Sequence, residues 1–460
     1  MEETFRDSLA TVDRQGKRSW IYSQKPKGKL YNARSVLSFL YFLAFFAGPF
    51  IKLNGRPLFL FNVVEGRFIV FGAIFWPQDF FIFGLAMVAF ILFIVLFTMA
   101  FGRLFCGWAC PQTIFMEMLF RRIEYWIEGD AAAQKTLARA PWNTEKLLKK
   151  TTKHILFYVL SFLIANTFLA YVIGIDSLLE IITGPVTLHT GGLAAITIFA
   201  GVFYGVFAFF REQVCTTVCP YGRLQGVLLD RDTVVVAYDY ARGEPRGHYK
   251  KQADNNLGDC IDCHQCVKVC PTGIDIRNGT QLECVNCTAC IDACNFMMEK
   301  TGRPPDLIRY ASENGIASKQ PLRFTPRLRI YSSILLILLT AITWMLASRK
   351  PVSGTVIRTA GLLYQERGAD SISNLYRIKL VNKTTGDIPL TLKLEDVPGK
   401  IELLGHQQIL VKGEEQGEGL FFVVLPRQAI QKRKTALRIA LYTGDKKTAN
   451  ISTTFLGPAQ

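Results

Sequence analysis

Eight of the 12 cysteines lie between Cys260 and Cys294, in two runs of one spacing: Cys260, Cys263, Cys266 and Cys270-Pro271, then Cys284, Cys287, Cys290 and Cys294-Asn295. An iron-sulfur cube needs four converging thiolates. A C-x2-C-x2-C turn supplies three, and in paired cubes the fourth cysteine of each run serves the other cluster. The spacing therefore predicts two [4Fe-4S] centres, one on Cys260, Cys263, Cys266 and Cys294, the other on Cys284, Cys287, Cys290 and Cys270. Structural zinc is the competing reading, since C-x2-C is also zinc spacing. Zinc needs only two such pairs per ion and leaves the recurring third and fourth cysteines unexplained. Asn295 stands where a proline is usual after the last ligand, which loosens that turn.

The other four cysteines form two matching motifs, Cys106-Gly-Trp-Ala-Cys110-Pro111 and Cys215-Thr-Thr-Val-Cys219-Pro220. Each follows an apolar segment. If the backbone is helical there, positions i and i+4 share a face, and Pro111 and Pro220 stop or redirect the chain beyond it. Side by side, the two motifs would gather four thiols. Such a set can bind a soft metal such as Cu(I), cycle between dithiol and disulfide, or hold a further cluster. The plainer reading is four small buried hydrophobes, but the exact pairing of motif and position favours Cys106, Cys110, Cys215 and Cys219 as a candidate redox or copper site.

These residues need a membrane frame. Hydrophobic residues make up 50% of the 460, with 34 Phe, and they concentrate in runs at 36–53, 80–101, 155–174, 191–210 and 330–347, each near the length that crosses a bilayer as a helix. The first run starts after a long basic segment with no small-residue cleavage site, so it is expected to be an anchor, not a removable signal. The stretch 58–76 is apolar but interrupted by Glu65, Gly66 and Arg67. Charge at membrane depth is costly, so it is expected to be interfacial or re-entrant.

Lys and Arg set the expected orientation. Eight fall in 1–34, nine in 102–153 and 16 in 211–329, against none in 175–190. The positive-inside rule puts the three basic regions in the cytoplasm, and five crossings then leave 348–460 outside. The formal charge of +16 follows these membrane borders and forms no stripe with interleaved aromatics, so its partner is anionic lipid of the bilayer and no nucleic acid is expected. Every cysteine lies in the cluster segment or near an inner helix end, so disulfide cross-linking is not their purpose.

The remaining segments carry less chemistry. From about Pro351, runs at 375–381, 389–394, 420–425 and 436–442, with turn signals at Thr385-Gly386-Asp387, Pro398-Gly399 and Thr443-Gly444-Asp445, predict about seven strands, which suits an immunoglobulin-like sandwich. Pro304-Pro305, Pro321 and Pro326 mark 301–328 as a linker. The stretch 112–126 looks amphipathic and is expected to lie along the inner membrane surface. His264 sits inside the first cluster motif, and His154 and His189 lie at opposite membrane faces, which argues against a bis-His haem. No nucleotide fingerprint, P-loop or hydrolase motif is present.

With these parts in order, the chain resembles nearly end to end the FixG/RdxA/CcoG group of cytochrome c oxidase accessory proteins, most specifically in Cys106–Pro111, Cys215–Pro220 and Cys260–Cys294. The related NapH and NosR polyferredoxins share the C-x3-C-P motifs, but the C-terminal domain favours the accessory group. The fold class expected is a multi-domain membrane protein: a basic segment 1–34, transmembrane helices one to four in 35–254, a bacterial two-cluster ferredoxin segment 255–300, the linker, a fifth helix 329–347, and an all-β immunoglobulin-like domain 348–460 in the periplasm. The resemblance implies a bacterial inner-membrane cupric reductase, with copper as substrate, acting with assembly factors or copper chaperones of a cbb-type oxidase; its electron donor is unknown. Two other functions compete: a quinol-linked electron conduit, and a non-enzymatic copper or assembly scaffold.

Overall fold

In the computed structural model, among the described residues, five helices are long and apolar enough to cross a membrane: α1 Lys29–Phe50, α2 Phe80–Phe101, α3 Thr144–Ile173, α4 Thr190–Phe210 and α5 Pro326–Ala347. The structure describes residues 11–458 except 13, 14, 16, 54, 64, 65, 76–79, 249–256, 320–323, 349–351, 360–362, 369, 385, 406, 407, 414 and 431. Residues 1–10, Glu65, Trp76, the boundary at 254 and 255, Pro321, Pro351, Thr385 and Gln460 therefore lie outside the described residues. Each helix holds most of its expected apolar run, though α1 stops at Phe50, short of Leu53, where Lys52–Leu53 is a strand, and α3 stops at Ile173, before Gly174; α1, α3 and α5 begin earlier than expected, because a helix starts at its cap and not at the onset of apolarity. For α3 the cap is Asn143, whose side chain accepts from the Lys146 N–H at 2.8 Å, the arrangement that satisfies an otherwise orphaned donor.

The chain divides into two compact units, 1–340 and 341–460. In the first, the stretch expected to be interfacial or re-entrant is a small antiparallel sheet, Phe59–Asn62 with Arg67–Val70 and then Ala73–Phe75. Leu60, Ile69 and Ile74 are buried on one face, the period-two pattern of a half-buried sheet. Gly72, at φ 74°, supplies the left-handed residue that its tight turn requires.

The segment 112–126 departs more sharply from expectation. It forms Pro111–Phe115, a π-helical turn Met116–Phe120 and Arg121–Ile127, and it runs through the core instead of along the surface. Phe115, Met116 and Phe120 pack with Phe157 of α3 and Phe207 of α4, Phe120 and Phe207 stacking at 4.4 Å. Its charged face is satisfied by distant partners, so the local pattern looks amphipathic although both faces are buried.

The iron-sulfur segment reaches wider than its cysteines. Val235–Tyr238 pairs antiparallel with Ile308–Ala311, and Val236, Tyr238, Ile274, Ile276, Met298 and Leu307 form its core. The expected linker thus carries a strand and a short helix, Glu313–Ser318. In the second unit two sheets face each other. One orders Lys400–Leu403, Gln416–Pro426, Ser371–Asn382 and Val352–Arg358, with Gln365–Arg367 also paired to the third strand. The other orders Ile409–Val411, Ile388–Leu394, Lys434–Thr443 and Lys446–Leu456. All pairings are antiparallel, and Tyr376, Phe421, Leu437 and Phe455 fill the space between, as a sandwich requires.

Candidate functional site

The two cysteine runs fold so that each lends its last member to the other. One cavity of about 350 Å3 is lined by Cys270, Cys284, Cys287 and Cys290, with Cys266 and the Val236 side chain at its wall. A second of about 350 Å3 is lined by Cys260, Cys263, Cys266 and Cys294. These are the two sets expected from spacing. At least four sulfurs, drawn from both runs, line each cavity, the donor set that a [4Fe-4S] centre takes. Burial pushes the Cys266, Cys284 and Cys294 thiols up to about 12 and Cys287 up to about 11, so thiolate forms there only when cationic iron replaces the protons. Arginines offset the charge of the thiolates: Arg277 acts on Cys266, Arg103 on Cys284 and Arg34 on Cys287. The residues present fit the clusters.

The left-handed turns that the spacing imposes are visible. Asp262, His264, Asn286 and Thr288 all have φ between 51° and 66°, equivalent positions in the two C-x2-C-x2-C turns. Asn295 replaces the missing proline with a clamp: its Nδ2 donates to Asp306 Oδ1 at 3.1 Å, and its Oδ1 accepts from the Asp306 N–H at 2.8 Å. His264 Nδ1 accepts from an Arg277 guanidinium N–H at 2.8 Å, and its Nε2 lies 3.3 Å from Asp262. His154 pairs instead with the Tyr204 hydroxyl at 2.9 Å.

The C-x3-C-P motifs share a layout that spacing alone did not reveal. After α2 the chain breaks at Gly102, φ 54°, and after α4 at Arg211, φ 51°. Four residues later comes the first cysteine of each motif, Cys106 in the short helix Leu104–Trp108 and Cys215 in the π-helical turn Val214–Val218. The second cysteine is extended in both, Cys110 at φ −65°, ψ 124° and Cys219 at φ −68°, ψ 112°. The expected common helical face of i and i+4 is therefore not formed. A residue before proline is driven from helical to extended backbone, and Pro111 and Pro220 open the next helix at its first position instead of closing the last one.

Even so, the two motifs meet. Burial pushes the Cys215 thiol up to about 12, with the neighbouring Cys110 adding to the rise, and burial raises Cys106 as well. The motifs exchange contacts: Gln225 meets Cys106 Sγ at 3.5 Å, and Thr113 Oγ1 lies 4.0 Å from Cys215 Sγ.

A buried ionic network, missed from sequence, holds this end of the bundle. Arg211 donates both terminal nitrogens to the Glu124 carboxylate at 2.9 Å each. Arg121 lies 3.2 Å from Glu117 and 3.6 Å from Glu212, and Lys153 is 2.9 Å from Glu128. Losing one partner of such a pair strands a buried charge, at about 3–5 kcal/mol, which explains how Arg211 is kept in its strained conformation.

The N-terminal segment, read only for its charge, also positions the site. The Leu30 and Tyr31 N–H groups that open α1 donate to the Asp292 carboxylate at 3.2 and 2.8 Å, an acceptor supplied by the segment between Cys290 and Cys294 and favoured by the helix dipole. The one hint in the sequence was a helix start at Gly28-Lys29 with no local capping side chain.

Comparison with known families matches residues 83–129 to a 4Fe-4S binding domain, 210–313 to a 4Fe-4S dicluster domain, and 342–458 to the IG-like fold at the C-terminus of FixG. The chain is 31% identical to the nitrogen fixation protein FixG of Rhizobium meliloti over 449 residues, covering 88% of this chain and 83% of that one. It is 38% identical to protein RdxA of Cereibacter sphaeroides, covering 74% and 73%, and 35% identical to protein RdxB of the same organism, covering 84% and 86%.

Proposed function

Because the chain belongs to the FixG/RdxA family of membrane iron-sulfur electron-transfer proteins, we propose that it reduces Cu(II) to Cu(I) at Cys106, Cys110, Cys215 and Cys219, during assembly of a cbb-type haem-copper oxidase in the bacterial inner membrane. The observation that carries this reading is the contact between the two motifs, Gln225 beyond Cys219 meeting Cys106 Sγ at 3.5 Å and Thr113 beyond Cys110 lying 4.0 Å from Cys215 Sγ. The eight remaining cysteines are taken up by the two cavities, so these four are the soft ligands left to meet copper. Thiolates favour Cu(I) over Cu(II), which makes the same residues receptor for the substrate and trap for the product. Burial raises the Cys106 and Cys215 thiols, so a soft cation must displace their protons to enter.

Two [4Fe-4S] clusters, on Cys260, Cys263, Cys266 and Cys294 and on Cys270, Cys284, Cys287 and Cys290, supply electrons singly, in step with a one-electron reduction. The resemblance, and not the geometry, carries the oxidase-assembly role and the partners it implies, copper chaperones or assembly factors. The test uses anaerobically purified, reduced protein mixed with Cu(II) and a Cu(I) chelator. Cluster absorption should recover its oxidised form as the Cu(I) complex appears in proportion; reduced clusters unmoved by Cu(II) would overturn the proposal.

The same reading places the N-terminus and iron-sulfur segment in the cytoplasm and the C-terminal domain in the periplasm, on the asymmetry of Lys and Arg. Reporter fusions at Lys319 and at Gln460 should give opposite topologies. Agreement between them would mean that a crossing has been miscounted.

A further inference from the structure

The two motifs meet the iron-sulfur segment at one seam. Gly107 lies between Cys106 and Cys110, and a Cβ added there would fall 2.5 Å from the Val285 carbonyl oxygen and 2.7 Å from that of Asn286. Side chains do not tolerate such distances, so the helix approaches this closely only because the residue is glycine. Val285 and Asn286 are the two residues between Cys284 and Cys287. The seam is fastened on both flanks. Arg34 Nε donates to the Gly107 carbonyl at 2.7 Å. Arg103 donates to the Leu282 carbonyl and, at 2.5 Å, to Gln225 Oε1. Trp108 Nε1 donates to the Tyr310 hydroxyl at 3.0 Å, and that hydroxyl donates to the Asn286 carbonyl at 3.4 Å.

The second motif arrives at the same place. A cavity of about 310 Å3 has Cys215 and Glu212 on one side and Pro271, Thr272 and Val285 on the other, and Gly226 packs on Leu282. Pro271 follows Cys270 directly. Both motifs thus lean on the residues flanking Cys270, Cys284 and Cys287. The described contacts bring neither of them to the turn at Cys260, Cys263 and Cys266.

We propose that Gly107 is a positioning residue that sets the gap between the four thiols and the Cys270, Cys284, Cys287 and Cys290 set, so that this set, and not Cys260, Cys263, Cys266 and Cys294, is the electron neighbour of the thiol site. It rests on the reading of the four thiols as the copper site. Across that gap each Cu(II) gains one electron and becomes Cu(I), and the set opposite loses one; no proton moves with it. The other set, beside the half-exposed His264, stands one step further back.

The test uses full-length, anaerobically purified and reduced protein, with Co(II) as a paramagnetic thiol ligand that is not reduced. Bound at the thiols, Co(II) should speed the electron-spin relaxation of a reduced cluster, read by power saturation. The enhancement should persist in Cys263→Ser and vanish in Cys287→Ser; the opposite pattern overturns the proposal. Gly107→Ala should keep both cluster signals and Co(II) stoichiometry while weakening the enhancement and slowing Cu(II)-driven reoxidation by tenfold or more. An Ala variant with full clusters and unchanged relaxation would also overturn it, and should that variant fail to fold, the two Ser variants decide alone. If Co(II) still binds in Cys106→Ser/Cys215→Ser, it is the thiol-site reading that fails, a result distinct from either of these.

Discussion

Reduced protein in which Cys106 and Cys215 are both replaced by Ser should keep its full cluster absorption and lose Cu(II)-dependent reoxidation and Cu(I) retention altogether. The expected loss is complete because each substitution removes the first sulfur of one motif, while serine offers a hard oxygen with little affinity for Cu(I). Cluster loading should survive, since neither residue lines either of the two cavities that gather the other eight cysteines. Serine also preserves volume, so Gln225 retains a polar partner where it now meets Cys106 Sγ at 3.5 Å. A double variant with full clusters and wild-type copper reduction would mean that copper is reduced at a cluster edge and that the four thiols serve another purpose.

Anaerobic wild-type protein should contain about eight iron atoms per chain, and Cys263→Ser about four. Cys263 belongs to the cavity with Cys260, Cys266 and Cys294, so its loss should extinguish one reduced-cluster signal and leave the other. The interleaving sharpens the measurement. Cys294→Ser, at the far end of the other run, should extinguish the same signal as Cys263→Ser, while Cys270→Ser should extinguish its counterpart. If each run instead formed its own site, Cys270→Ser and Cys263→Ser would behave alike. Stoichiometric zinc with no iron would refute the clusters themselves.

The parts of this protein that were legible in its sequence are those whose cause is local. Five apolar runs long enough to span are read by length and hydropathy, and thiol spacing announces its turns because a metal-binding loop is short. Strand runs such as 375–381 and 436–442 fall within observed strands because their period is two. What escaped was set by distant partners. Residues 112–126 look amphipathic because Arg121 and Glu124 are charged, yet both are buried, neutralised by Glu212, Arg211 and Lys153 from elements about 30 to 90 positions away. The start of α1 depends on Asp292, from the far end of the iron-sulfur segment. The matched breaks at Gly102 and Arg211 hid because only one is a glycine. Arginine reaches the same left-handed conformation through its bidentate grip on Glu124, so composition could not reveal the symmetry that the backbone shows.

The sandwich of residues 352–456 contains no cysteine. Its interior is mostly hydrocarbon and aromatic rings, with Ser373, Asn374 and Asn382 buried among them; Tyr376 is its largest fully buried side chain, the hydroxyl donating to the Thr454 carbonyl at 2.9 Å. Nothing in it can be oxidised to a disulfide, stripped of a metal or bridged by a stray soft cation. The first unit holds all 12 cysteines, the groups that air, chelators and excess copper attack. The second is indifferent to all three. Under oxidative or copper stress the cysteine-bearing unit is therefore expected to lose its chemistry first, while the β domain keeps its fold.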